Sequence, residues 1–212
     1  MIADTFKILI GRWDFFGRLI LEHLAISGIS ILLAGIIGLA LGIFISEYKK
    51  TSPLVLGFTN VVYTIPSISM FGFLIPISGI GNNTAVIALT VYALLPMLRN
   101  TFTGLDNVSD AVIEAAAGMG STRSQILLKI KLPMAVAVIL AGLRNMVVMT
   151  ISTAGIASFI GAGGLGVAIY RGIATNNIPM MVAGSILIAV LALAADYVFG
   201  LLEKMMRRRW RL

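Results

Sequence analysis

The chain has 212 residues, 58 % of them hydrophobic and 12 % charged, with a mean hydropathy of +1.00. A soluble domain carries about twice that charged fraction, so the composition excludes an ordinary soluble protein and predicts an all-α integral membrane protein. The net charge is +7 and the pI about 10.1; the basic residues lie beside apolar stretches, which points to a lipid bilayer and not to nucleic acid.

In chain order, residues 6–20 are amphipathic, with Phe6, Leu9, Ile10, Trp13, Phe16, Leu19 and Ile20 at helical spacing among Lys7, Arg12, Asp14 and Arg18. This segment reads either as a helix lying in the interface or as the ragged start of the first span. A first span over about 24–46 carries Ser30, Ala34, Gly38 and Gly42 at intervals of four, a small-residue ladder that admits another helix at close range. Residues 51–98 contain no Asp, Glu, Lys, Arg or His. At roughly 20 residues per crossing they hold two spans, predicted near 54–77 and 84–99. The first of these contains Tyr63, Thr64, Ile65, Pro66 and Ser67. Pro66 removes a backbone donor in mid-span and predicts a kink, either a gate hinge beside a wet cavity or a packing feature. A fourth span is predicted over 134–160, a glycine turn over 161–166, and a fifth span over 178–202. The expected divisions are an interfacial segment 1–22, a transmembrane domain 23–203 and a basic tail 204–212. No cleavable leader is apparent in the first 22 residues, and the length leaves no room for a soluble catalytic or ligand-binding domain.

With five spans, Lys49, Lys50, Arg99, Arg123, Lys129, Lys131, Lys204, Arg207, Arg208, Arg209 and Arg211 fall on one side, against Lys7, Arg12, Arg18 and Arg171 on the other. The excess marks the cytoplasmic side. It puts the N-terminus outside, and the C-terminus and the long polar excursion 109–133 inside.

Several chemistries are absent. There is no cysteine, hence no disulfide and no thiolate metal site. No phosphate-binding G-x-x-x-x-G-K-[ST] occurs, and neither a Ser/His/Asp set nor paired carboxylates can be assembled. The lone histidine, His23, stands at a span boundary and reads as interfacial. Gly161, Gly163 and Gly166 match a dinucleotide fingerprint in spacing alone, without the strand and acidic residue it requires; a tight turn is the safer assignment. Arg144 and Asn145 lie well inside the fourth span, where a guanidinium needs a polar lining or a partner. They line a pathway, or Arg144 snorkels or pairs with Asp196. Asp196 is too near the end of its span for an ion-coupling site, which argues against a secondary transporter.

The excursion 109–133 is internally consistent. Asn107 or Ser109 can cap a first helix with Asp110 and Glu114 at its positive end, Ala115 to Ala117 present little bulk, and Gly118 and Gly120 break it. Thr122-x-x-Gln125 is a capping box, and Pro133 suits the first turn of the next helix. Two short helices joined at a glycine and continuous with a span make a lever.

Glu114, Ala115, Ala116, Gly120, Ile130, Leu132 and Pro133 match E-A-A-x3-G-x9-I-x-L-P, which resembles the EAA loop of binding-protein-dependent ABC import permeases. The likeness extends to Glu22–Ser27 (E-H-L-x-I-S), Thr64–Ser67 (T-I-P-S), 94–101 (L-L-P-M-L-R-N-T) and 160–166 (I-G-A-G-G-L-G). Together these resemble the osmoprotectant branch, permeases for glycine betaine, carnitine and choline. The resemblance implies a MetI-like type I importer fold of about five transmembrane helices with a cytoplasmic two-helix loop, in a bacterial or archaeal plasma membrane. It also implies a second permease subunit, two ATP-binding cassette subunits carrying ATP and Mg, and a separate extracytoplasmic substrate-binding protein. This chain is expected to be non-catalytic and to bind no cofactor or metal. The implied coupling residues are Glu114, Ala115, Ala116, Gly120, Arg123, Ile130, Leu132 and Pro133. Tyr63, Thr64, Pro66, Ser67, Arg144, Asn145, Ser152 and Thr153 are the candidate pathway residues. Two other readings stay open: a permease for another small amine or amino acid such as methionine, and a gated channel or ATP-independent transporter.

Overall fold

A computed structural model of the protein describes residues 2–210, with side chains through residue 206. Of the expected basic tail, Arg211 and the side chains of Arg207, Arg208 and Arg209 lie outside the described residues.

Among the described residues, ten α-helices follow one another: α1 (Ile2–Gly11), α2 (Trp13–Glu47), α3 (Ser52–Thr64), α4 (Ser67–Ser78), α5 (Asn82–Asp106), α6 (Asp110–Gly118), α7 (Arg123–Ile126), α8 (Leu132–Ala154), α9 (Gly166–Ala174) and α10 (Ile178–Trp210). Four apolar runs among the described residues are long enough to cross a membrane: α2, α5, the continuous stretch 123–160 and α10. The pair α3–α4, bent by 99°, makes a fifth crossing. Its start lies by the Lys49–Asp106 ion pair, and its far end by Gly81, which donates to Ile160. These are opposite ends of α5, whose 25 residues span about 37 Å.

α5 is the central post. The small-residue ladder of α2 faces it: a Cβ on Gly38 would stand 2.9 Å from Met97 Cβ, and one on Gly42 would stand 2.5 Å from Thr101 Cβ. On the other side, a Cβ on Gly142 of α8 would meet Asn100 Cβ at 2.4 Å, and Gly104 of α5 abuts Ala135 and Val138. Hydrophobicity between helices supplies little drive in lipid, so close backbone approach and dispersion hold this three-helix core. Ala93, Met97, Met146 and Val147 fill its middle. α10 closes the bundle against α8 and α9.

The amphipathic segment 6–20 divides between two helices, its second half forming the start of the first long span. The chain turns at Arg12 (φ −127°, ψ 34°), and α2 starts at Trp13 and runs without interruption through the anticipated boundary at residues 22 and 23. α1 lies against α10, where Ile8 and Leu9 pack with Leu187 and Leu191.

Candidate coupling surface and translocation cavity

The excursion after α5 is built from local rules. Ser109 occupies the N-cap of α6; its side chain makes no cap bond, and its carbonyl accepts from Val112 and Ile113. Gly118, expected to help break the helix, remains inside it. Gly120 does the breaking, with φ +85°. There the Ser121 N–H returns to the Ala116 carbonyl at 3.1 Å, and the Gly120 N–H to the Ala117 carbonyl at 2.9 Å. This paired closure satisfies the last carbonyls of α6 and requires a left-handed residue four positions after Ala116. The spacing E-A-A-x3-G thus has a backbone cause.

α7 starts with the predicted capping box: the Gln125 N–H donates to Thr122 Oγ1 at 3.3 Å, and the Thr122 N–H donates to Gln125 Oε1 at 2.9 Å. Helix continues through a π-helical turn at Leu127–Lys131 into α8. Pro133 lies in the first turn of α8, as expected, although no loop separates α7 from the span.

Burial divides the candidate coupling residues into two groups. Ala116 is buried, together with Ile126, and Ile130, Leu132 and Pro133 are half-buried. Glu114, Ala115, Gly120 and Arg123 are exposed, and Met119 beside them is 81 % exposed. The inner group fixes the shape of the loop and the outer group offers a low-relief surface. Lys131 Nζ pairs with Glu47 at 2.5 Å, tying the loop to the end of α2. A cavity of about 330 Å³ lies between them, lined by Ser46, Glu47, Ile113, Arg123 and Ile126 among others.

The second candidate region is the α3–α4 break. Ile65 adopts an extended conformation (φ −68°, ψ 125°) before Pro66, and its N–H returns to Val62 at 3.2 Å. The Ile65 carbonyl, which a continuing helix would have used, accepts instead from the hydroxyl of Tyr92 on α5. That bond supplies the internal partner that a break at membrane depth demands. A cavity of about 330 Å³ opens beside it. Five of the candidate pathway residues, Tyr63, Thr64, Pro66, Ser67 and Thr153, line it with Ile65, Tyr92 and Met149.

Three other expected pathway residues do not join it. Ser152 donates to the Val148 carbonyl of its own helix at 2.9 Å, and Asn145 is exposed on α8 outside the cavity lining. Arg144 turns to α10, where Nε and Nη2 hold the two carboxylate oxygens of Asp196 at 2.6 and 2.7 Å, with Glu203 at 3.5 Å. Of the alternatives for Arg144, pairing with Asp196 is the one observed, since a two-pronged bond best offsets a guanidinium inside a span.

His23 corrects the sequence reading. Expected at the interface, it is 1 % exposed. Nε2 lies 2.9 Å from the Ile151 carbonyl, and the Leu165 N–H approaches Nδ1 at 3.3 Å. The neutral ring satisfies both when Nε2 carries the proton. Glu22 accepts from the Gly164 N–H at 3.1 Å, and Asn82 Oδ1 from the Gly163 N–H at 2.9 Å. The glycine run is therefore the turn expected, with Gly161 and Gly164 at φ +76° and +95°. It is pinned by side chains from α2 and α5, and α9 starts at Gly166, a position that only glycine fits because a Cβ there would sit 1.9 Å from the Gly155 carbonyl oxygen. Among the described residues, no group of three or more His, Cys, Asp or Glu could hold a metal ion.

Comparison with known proteins bears on both regions. The family model described as "Binding-protein-dependent transport system inner membrane component" matches residues 10–208. The carnitine transport permease protein OpuCD of Listeria monocytogenes serotype 1/2a (strain 10403S) is 41 % identical over 206 residues, covering 95 % of this chain and 92 % of that protein. The glycine betaine/carnitine/choline transport system permease protein OpuCD of Bacillus subtilis (strain 168) is 42 % identical over 184 residues, 86 % of this chain and 80 % of that protein. Among solved structures, an inward-facing form of the MetNI methionine ABC transporter aligns with a TM-score of 0.81 at 24 % identity, covering 92 % of this chain and 97 % of that one; it shares the fold. On this evidence the chain belongs to the family of binding-protein-dependent transport system inner membrane components.

Proposed function

We propose that this chain is the membrane subunit of an ABC importer for quaternary-amine osmoprotectants such as glycine betaine, carnitine and choline. Two permease subunits, identical or paralogous, form the pathway. Two cytoplasmic ATPases holding ATP and Mg dock on the loops 109–133, and an extracytoplasmic binding protein delivers the solute. The observation that carries this reading is the coupling loop: Glu114, Ala115, Gly120 and Arg123 are exposed on a short helical unit with no break before α8. Docking there moves a span directly. The substrates named for the similar permeases support the choice of solute. ATP chemistry belongs to the partner subunits, and this chain contributes the path and the lever.

Reconstitution tests it. The chain is co-purified with its candidate ATPase in nanodiscs, binding protein and glycine betaine are added, and ATP hydrolysis is followed. Stable association and solute-dependent stimulation are expected. Absence of ATPase association would sink the importer reading, whereas stimulation by another solute alone would sink only the substrate. The excess of basic residues supports a topology with the loop and the C-terminus in the cytoplasm and the N-terminus outside. Because the chain has no native cysteine, single cysteines at Met119 and Asn82 report orientation directly. An impermeant thiol reagent should label Asn82→Cys on intact cells and spare Met119→Cys.

A further inference from the structure

We propose that the cavity at the α3–α4 break is a transient binding site, within the membrane, for the quaternary-ammonium head of the transported solute, formed by the ring faces of Tyr63 and Tyr92. This rests on the importer reading above and goes beyond it, because it assigns solute recognition to the permease itself.

The two rings stand with centroids 6.0 Å apart and planes at 67°, so they present a corner of two π surfaces. Tyr63 is 41 % exposed and Tyr92 only 7 %, which gives one accessible wall and one fixed wall. Their hydroxyls are committed elsewhere: Tyr63 Oη donates to Met149 Sδ at 3.2 Å, and Tyr92 Oη donates to the Ile65 carbonyl. Those bonds hold the rings in position and leave the faces as the available recognition surface. The thioether of Met149 is polarizable and suits contact with methyl groups.

The rest of the lining favours a cation and does not trap one. No acidic or basic side chain lines the cavity; Thr64, Ile65, Pro66, Ser67 and Thr153 complete it. Arg99 of α5 donates to Asn60 Oδ1 at 2.9 Å, about one turn back along α3 from the break, and it is not a lining residue. The C-terminal, negative end of the α3 dipole terminates at the break. Ring quadrupoles attract ammonium ions with methyl groups, which cannot use hydrogen bonds. A site without a carboxylate also releases its cation readily, as a transport path requires. At about 330 Å³ the cavity lies at the lower end of the range for small-ligand sites, roughly 300–1,000 Å³.

The test separates charge from shape. Permease assembled with its ATPase in nanodiscs, without the binding protein, is presented with glycine betaine or its neutral-headed carbon isostere 3,3-dimethylbutanoate, and contact is read by saturation-transfer NMR on the methyl protons. Glycine betaine should give transfer and the isostere at least about tenfold less, the equivalent of about 1.4 kcal/mol. Tyr63→Leu should lower the betaine signal by a similar factor, while Tyr63→Phe, which keeps the ring, stays within about twofold. Equal signals from both solutes, a Tyr63→Leu signal equal to wild type, or no signal from wild type would each overturn the site. These outcomes are distinct from failure of the importer reading, which shows as loss of ATPase association in the wild-type chain. If the permease does not bind the ATPase, the same NMR comparison on the permease alone still decides the site.

Discussion

The glycine turn 161–166 and the coupling loop 109–133 lie at opposite ends of the bundle and are held in opposite ways. The glycine turn is pinned from afar. Glu22 and His23 reach it across 142 residues of sequence and Asn82 across 81, each to a backbone N–H. The coupling loop closes on itself through the return bonds at Gly120 and the box at Thr122, all within six residues, and Lys131–Glu47 is its ion pair to another span. A turn fastened to two helices keeps those helices in register. A loop with its own internal bonds can be pushed as one piece without losing its shape, which suits a surface that receives force.

Substitutions at four positions probe the contrast, from the largest expected effect downward. Gly166→Ala should be the most damaging, because its methyl group would overlap the Gly155 carbonyl. A loss of about 4 kcal/mol or more is expected, read as loss of monodisperse protein in fluorescence-detected size exclusion. His23→Leu strands the Ile151 carbonyl and the Leu165 N–H, at about 1–3 kcal/mol for each group. The thermal midpoint in detergent should fall, and His23→Gln, which can both donate and accept, should recover part of it. A midpoint unchanged in His23→Leu would refute the pinned-turn description.

At the other end the effects should be smaller in stability and larger in coupling. Gly120→Val meets open space but forces a branched side chain to φ +85°, a strain of about 1–3 kcal/mol. The protein should insert and stay monodisperse while ATPase association, measured by co-purification, is lost. Normal association would count against the lever. Thr122→Ala removes one half of the capping box at about 1 kcal/mol. Its expected signature is faster amide exchange confined to residues 123–126, with the global midpoint unmoved.

What was legible in the sequence follows the same division. The coupling loop is encoded by neighbours, so Thr122-x-x-Gln125 and the Ala116–Gly120 spacing could be read as local chemistry. The small-residue ladder of α2 and the break at Pro66 were equally readable, since each acts within one helix turn. The partner of the ladder, α5, was not, because spacing announces a close approach without naming the approaching helix. His23 was misread for a related reason: both of its hydrogen-bond partners are more than 120 residues away, and a lone histidine carries no local sign of them. The available signal was the coexistence of Glu22 and His23 with a glycine run full of unpaired N–H groups. Tyr92 and Met149 carry no local sign of their place, because an aromatic residue and a thioether in an apolar run look like core until the fold brings them to the break.

The π-helical turn at Leu127–Lys131 has a consequence for timing along the helix axis. Its Leu132 N–H bonds back five residues to Leu127, so the turn holds one more residue than an α-helical turn would. One α-helical residue corresponds to about 100° of rotation and 1.5 Å of rise. The extra residue therefore works as a phase shifter: it sets the angle at which the α7 face meets the α8 seam that packs on α5. Pro133 offers no N–H to the Lys129 carbonyl, so the wide turn sits where the α pattern is already interrupted. Deleting one residue between 127 and 131 would leave every hydrophobic position in place by type, yet turn the coupling surface about a quarter of the way round the helix.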